Sequence, residues 1–246
     1  MGGHERRASE EVRQTATSAK PTRPLWSALT SQRLRVHSVE ALFAFGAALL
    51  SLRLASSVAG RWRTTRRPEL AAWSAALLAY AAASAALTWG AAAGWDTRAF
   101  RVYYLFGALL TAPLLGVGSL LLYGWKRIIA PAFIYVGLAV GIAISVPLHG
   151  AFGASIPAAQ DHLAFFPARF VAIVANTVGT LAVVAVAIVT IRRRPLGNGL
   201  ILAGVGVAAL GTALSGLGAA KTAVFVAIAA LLLYGGFTVS PRRRAN

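Results

Sequence analysis

Seven stretches long enough to cross a bilayer follow one another through this chain, and most of its positive charge is collected between them. A spanning helix needs about 20 predominantly apolar residues. Such runs cover 41–60, 70–94, 102–124, 128–148, 168–191, 199–217 and 222–239. Within them or at their outer edges the only charged residues are Arg53, Asp96, Arg98, Arg101, Arg169 and Lys221. The expected fold class is therefore all-α, a polytopic helical bundle in a membrane. The chain is 57% hydrophobic and 13% charged, against about 25% charged in an ordinary soluble domain. A soluble fold of this length has too little interior to hide that much apolar surface.

The net charge of +17 suggests a nucleic-acid binder until its placement is considered. The cations punctuate the apolar runs and do not line one face of a domain, so they read as topology signals and contacts to anionic lipid. No nucleic-acid partner is expected. Membrane lipids are, with anionic lipid at the basic loops. Cysteine is absent, which excludes disulfides, thiol nucleophiles and thiolate metal sites.

Orientation follows from Lys and Arg in the short loops. The loops after spans one, three and five, with the tail after span seven, hold twelve of them; the loops after spans two, four and six, counted with their edges, hold four. The first set is assigned to the cytoplasm, which puts the N-terminus outside and the C-terminus inside. Three segments result: a polar, disordered tail at 1–37, a seven-helix domain at 38–240 and a basic cytoplasmic tail at 241–246. The seven positive residues of the first tail resist translocation. Two alternatives meet that objection: 41–60 lying in the interface, with six true spans and the tail inside, or a start assigned too far upstream. Cleavage after 57–59 as a signal peptide is rejected, because it would leave the Arg61–Arg67 cluster on the outer side.

Helix packing has three signatures. Gly137 and Gly141 form a GxxxG pair, and Ala168, Ala172, Ala175 and Gly179 make a small-residue stripe. Both are expected to serve internal packing ahead of a dimer seam. Pro113 removes the bond to the Leu109 carbonyl and predicts a kink there.

Chemistry within the bilayer needs ionisable groups at depth, and no carboxylate stands in the middle of a span. Lys221 falls in the first turn of the last span and not at its middle, so a retinal Schiff base is excluded. No G-x-S-x-G elbow is present, and the glycines at 204, 206 and 211 lie inside a span with no strand before them. His149, Asp161 and His162 are a thin donor set for a metal; no metal, cofactor or catalytic residue is expected. Arg53 reads as a cation snorkelling to the inner headgroups, and Asn176 as polar glue between helices. The sharpest candidate lies at the outer face. Arg101, Arg169 and Lys221 each stand at or just before the first turn of an outward-starting helix, with Tyr103 and Tyr104 beside the first. Arranged round one cavity, Arg101, Arg169, Lys221 and Tyr104 would bind an anion or lipid headgroup. Interfacial anchoring is the competing reading.

The segments Arg66-Arg67-Pro68-Glu69-Leu70-Ala71-Ala72-Trp73 and Phe100-Arg101-Val102-Tyr103-Tyr104-Leu105-Phe106-Gly107-Ala108, with Pro113, Gly118 and Pro147-Leu148-His149, resemble a group of uncharacterised multi-spanning membrane proteins of actinobacteria. The resemblance runs from about His37 to Phe237. It implies seven spans and a bacterial plasma membrane, and it implies no activity or site residue. The expectation is thus a non-catalytic, multi-pass plasma-membrane protein that binds an anionic ligand or headgroup. A small-molecule permease is the alternative, and an intramembrane enzyme stands last. A membrane-protein partner or a second copy is left open.

Overall fold

A computed structural model describes the backbone of residues 25–153, 155–192, 195–216, 225, 228, 229, 231–233, 235 and 236. Side chains are described from 42 to 207 and within the last short stretches. Every regular element among these residues is helical. The helices are α1 (Leu25–Thr65), α2 (Pro68–Ala93), α3 (Thr97–Tyr123), α4 (Ile129–Ser145), α5 (Ala159–His162), α6 (Phe170–Thr190) and α7 (Pro195–Gly216). Five segments are long and apolar enough to cross a membrane: Leu42–Thr65, Pro68–Ala93, Thr97–Tyr123, Lys126–Ser145 and Phe165–Thr190. They coincide with the first five expected spans. The sixth expected span falls on α7, whose described apolar part is Pro195–Val207. The seventh lies largely outside the described residues, as do Lys221 and 241–246.

The chain divides into two units, 1–37 and 38–246. Among the described residues helical backbone runs from Leu25, inside the stretch expected to be a disordered tail. The reason is local: after Pro24 no proline recurs before Pro68, so nothing breaks the helix once it has started.

Within the second unit α2 is the interior helix. More than half of its spanning window is buried (56%), against 11% for α4. Its sequence explains this, since Ala76, Ala79, Ala83 and Ala86 let neighbours approach closely. Pro68 opens it at a position where a missing N–H costs nothing, and Glu69, buried in its first turn, pairs with Arg67 at 2.5 Å. Trp73 of α2 packs directly against Gly118 of α3, where any Cβ would run into the indole ring. Asp96 caps α3 by accepting from the Ala99 N–H at 2.7 Å.

The two small-residue signatures behave oppositely. Ala168, Ala172 and Gly179 are buried, as internal packing requires. At the crossing of α3 and α6, Gly116 faces Gly179 so closely that a Cβ on the former would lie 2.7 Å from the latter's Cα. Gly137 and Gly141 are exposed with no atom within 4 Å of an added Cβ. Among the described residues they therefore serve no internal packing, because α4 touches the described bundle through its opposite face, with Ala139 and Ile142 buried.

Candidate functional site

The expected kink at Pro113 takes a specific form. Residues Tyr104–Thr111 of α3 are wound as a π-helix, and α-helical winding resumes at Ala112. A π-helix bonds each carbonyl to the N–H five residues on, an α-helix to the one four on. Proline has no N–H. Pro113 thus fails Ala108 in the first register and Leu109 in the second. Two neighbouring helices supply the missing donors. Asn176 of α6 donates its Nδ2 to the Ala108 carbonyl, and also to Ala172 of its own helix at 2.8 Å. Tyr135 of α4 donates its hydroxyl to the Leu109 carbonyl at 2.5 Å. Thr111 adds a third bond, to the Phe106 carbonyl at 2.6 Å. A carbonyl left bare in a bilayer has no water to turn to, so these two side chains latch three helices together at one level.

Beside the latch the same three helices part to leave an apolar groove of about 320 Å³. Pro113, Gly116, Val117 and Leu120 of α3 form its floor. Ile128, Pro131, Ala132 and Tyr135 form one wall, and residues from Phe170 to Ala182 of α6 the other. The groove exists because small residues face it, Gly116 from α3, Ala132 from α4 and Ala175, Gly179 and Ala182 from α6. Its volume is at the lower end of the range typical of ligand sites, about 300–1,000 Å³. No charged side chain lines it, and the Tyr135 hydroxyl is already engaged.

At the opposite level the three described outer-face candidates, Arg101, Tyr104 and Arg169, are not gathered round one open cavity. Arg101 donates to the carbonyls of Ala143, of Ile144 at 2.9 Å and of Val146 at 3.0 Å. Its guanidinium closes the C-terminal end of α4, where the helix dipole favours a cation. Tyr104 is buried and stacks on Phe100, with ring centroids 5.9 Å apart. Arg101 and Tyr104 share a cavity of only about 10 Å³, room for one water at most. Arg169 lies over the Phe165 ring at 5.7 Å and within electrostatic reach of Tyr104. Lys221 is outside the described residues. Replacing Arg101 by Gln is expected to lower the unfolding free energy in detergent by about 2 kcal/mol, the scale of a hydrogen bond from a charged donor. Arg101→Lys, which keeps the charge without the planar fork, should recover part of it. A Gln variant as stable as wild type would show that α4 does not need this clamp.

No protein-family model, curated protein or solved structure matches this chain. The remaining assignments rest on geometry alone. Arg53 is exposed on α1, facing away from the bundle. Buried His162 stacks on Phe152 at 4.4 Å and donates Nδ1–H to the His149 carbonyl at 2.9 Å, while the His149 N–H returns to the His162 carbonyl at 3.0 Å. Those bonds close the loop between α4 and α6. No group of three His, Asp or Glu side chains suited to a metal occurs among the described residues. Sequence reasoning missed Tyr135, whose partner is a backbone carbonyl 26 residues away and carries no signature of its own.

Proposed function

We propose that this is a non-catalytic, multi-pass protein of a bacterial plasma membrane that binds an amphiphile, whose apolar part lies in the groove between α3, α4 and α6. The groove is the observation that carries the reading: it is apolar throughout, lined along α6 from Phe170 to Ala182, and formed by helices that cross at that level. In support of a seventh span, α7 packs against residues beyond it; the N-terminus outside and the C-terminus in the cytoplasm follow from the Lys and Arg of the loops. A Cβ at Gly236 would come within 2.8 Å of the Gly197 carbonyl oxygen, so the segment near 236 returns along α7. The carboxylates Glu69, Asp96 and Asp161 stand at helix starts, and none of them lines the groove, which favours binding over catalysis. The interruption of α3 favours one second reading, a permease with its path along that helix.

The test is native mass spectrometry of gently extracted protein. Wild type should carry a lipid-sized adduct through delipidation, and Ala132→Phe with Ala175→Leu, which fill the groove from both walls, should lose it. Wild-type protein that emerges bare would overturn the reading. A variant that instead blocks passage of a solute in vesicles, with no adduct on wild type, would favour the permease.

A further inference from the structure

Resting on that amphiphile reading, we infer that the groove holds an acyl chain of an anionic phospholipid whose phosphate is met by Lys126 and Arg127. Ile128 lines the end of the groove, and these two cations immediately precede it in the 3₁₀ turn that opens α4. Both are exposed. Among the described residues neither has a carboxylate partner; the ion pair present there is Arg67–Glu69. At the groove's other end Phe170 lines the wall, and the adjacent Arg169 is occupied over Phe165. Charge complementarity therefore selects the Lys126 end.

The dimensions agree. From Phe170 to Ala182 the α6 wall rises about 18 Å at 1.5 Å per residue. One leaflet of a bilayer offers roughly 15 Å of hydrocarbon, half of the ~30 Å core. A chain anchored by its phosphate at the turn thus runs the length of the groove. Trp125 and Tyr123, 52% and 65% exposed, flank the cations as side chains that favour the headgroup level do. Chain burial alone does not discriminate, because lipid tails are as apolar as the groove. The headgroup must carry the selectivity, at about a factor of five for each cation near a membrane surface.

The experiment loads delipidated protein in detergent with phosphatidylglycerol or phosphatidylcholine of identical chains and compares retention by native mass spectrometry. Wild type should retain the anionic lipid roughly 25-fold better, the product of two such factors. Lys126→Gln with Arg127→Gln should bring the ratio near one by lowering phosphatidylglycerol retention far more than that of phosphatidylcholine, whose phosphate is offset by its own choline cation. Arg61→Gln with Arg63→Gln, which removes as much charge from the end of α1, should leave the ratio intact. Equal retention of both lipids by wild type, or an equal loss in the Arg61 and Arg63 variant, overturns the headgroup assignment while the amphiphile reading stands. Retention of neither lipid overturns both.

Discussion

Gly179→Ala should cost about 3 kcal/mol, the upper end for overpacking, although it adds a single methyl group and alanine is the better helix former. The added Cβ would lie 2.5 Å from the Ala112 carbonyl oxygen and 2.8 Å from the Pro113 Cα. These are backbone atoms of α3, with no rotamer to escape into. The two helices must separate by roughly 1 Å to reach ordinary carbon contact distance. Asn176, one turn earlier on α6, would be drawn from the Ala108 carbonyl at the same time, so the cost includes part of a hydrogen bond. Gly137→Ala and Gly141→Ala are the matched controls. Their Cβ atoms meet nothing, and each should be neutral or stabilising by up to about 1 kcal/mol through helix propensity. Unfolding in a mixed detergent series reads all three. The reverse order, with Gly137 sensitive and Gly179 tolerant, would place the tight crossing on the wrong helix pair.

That contrast shows what a sequence of this kind conceals. Apolar runs bounded by Arg61–Arg67, by Lys126 and Arg127, and by Arg192–Arg194 mark the spans, because a charge is costly at depth and cheap at a surface. Five described helices follow those marks. Helical backbone between Leu25 and the first apolar run was not legible, since helical winding needs no apolar residues. Small residues show that a helix has a close-packing face, but spacing alone does not say which of two such faces is inward. The site was harder. Arg101 at a span edge has the composition of an open anion site, yet its acceptors are main-chain carbonyls 42 to 45 residues on, and every residue has one. The groove has no motif, because it is the space left by three helices and becomes visible only when they are placed. Pro113 and Asn176 were each legible as unusual. Their relation was not, because it depends on a π register that leaves Ala108 and Leu109 without donors.

That relation leads to the second large effect. Asn176→Leu in the wild-type background should cost about 2 kcal/mol, within the ~1–3 kcal/mol range for a buried carbonyl stripped of its donor. In a Pro113→Ala background the same substitution should cost much less. Removing the proline restores an N–H at position 113, so α3 can wind through this level in the α register, with residue 112 donating to Ala108 and residue 113 to Leu109. The carbonyls then need no outside help, and Asn176 and Tyr135 become ordinary interhelical contacts, each worth about 0.6 kcal/mol. The double-mutant cycle should therefore show a coupling of about 1–2 kcal/mol between positions 113 and 176, well above the few tenths expected of independent sites. Tyr135→Phe should couple to Pro113→Ala in the same sense, because its hydroxyl serves the other orphaned carbonyl. Purely additive costs would mean that the donors are not there to replace the missing proline N–H. Coupling at both positions would identify one cause for the π-helical run, the two latches and the attachment of α4, whose inner wall the groove shares. It would also make Pro113→Ala informative about binding. A straightened α3 that needs no latch frees Tyr135, and groove occupancy should fall with it even though no lining residue has been enlarged.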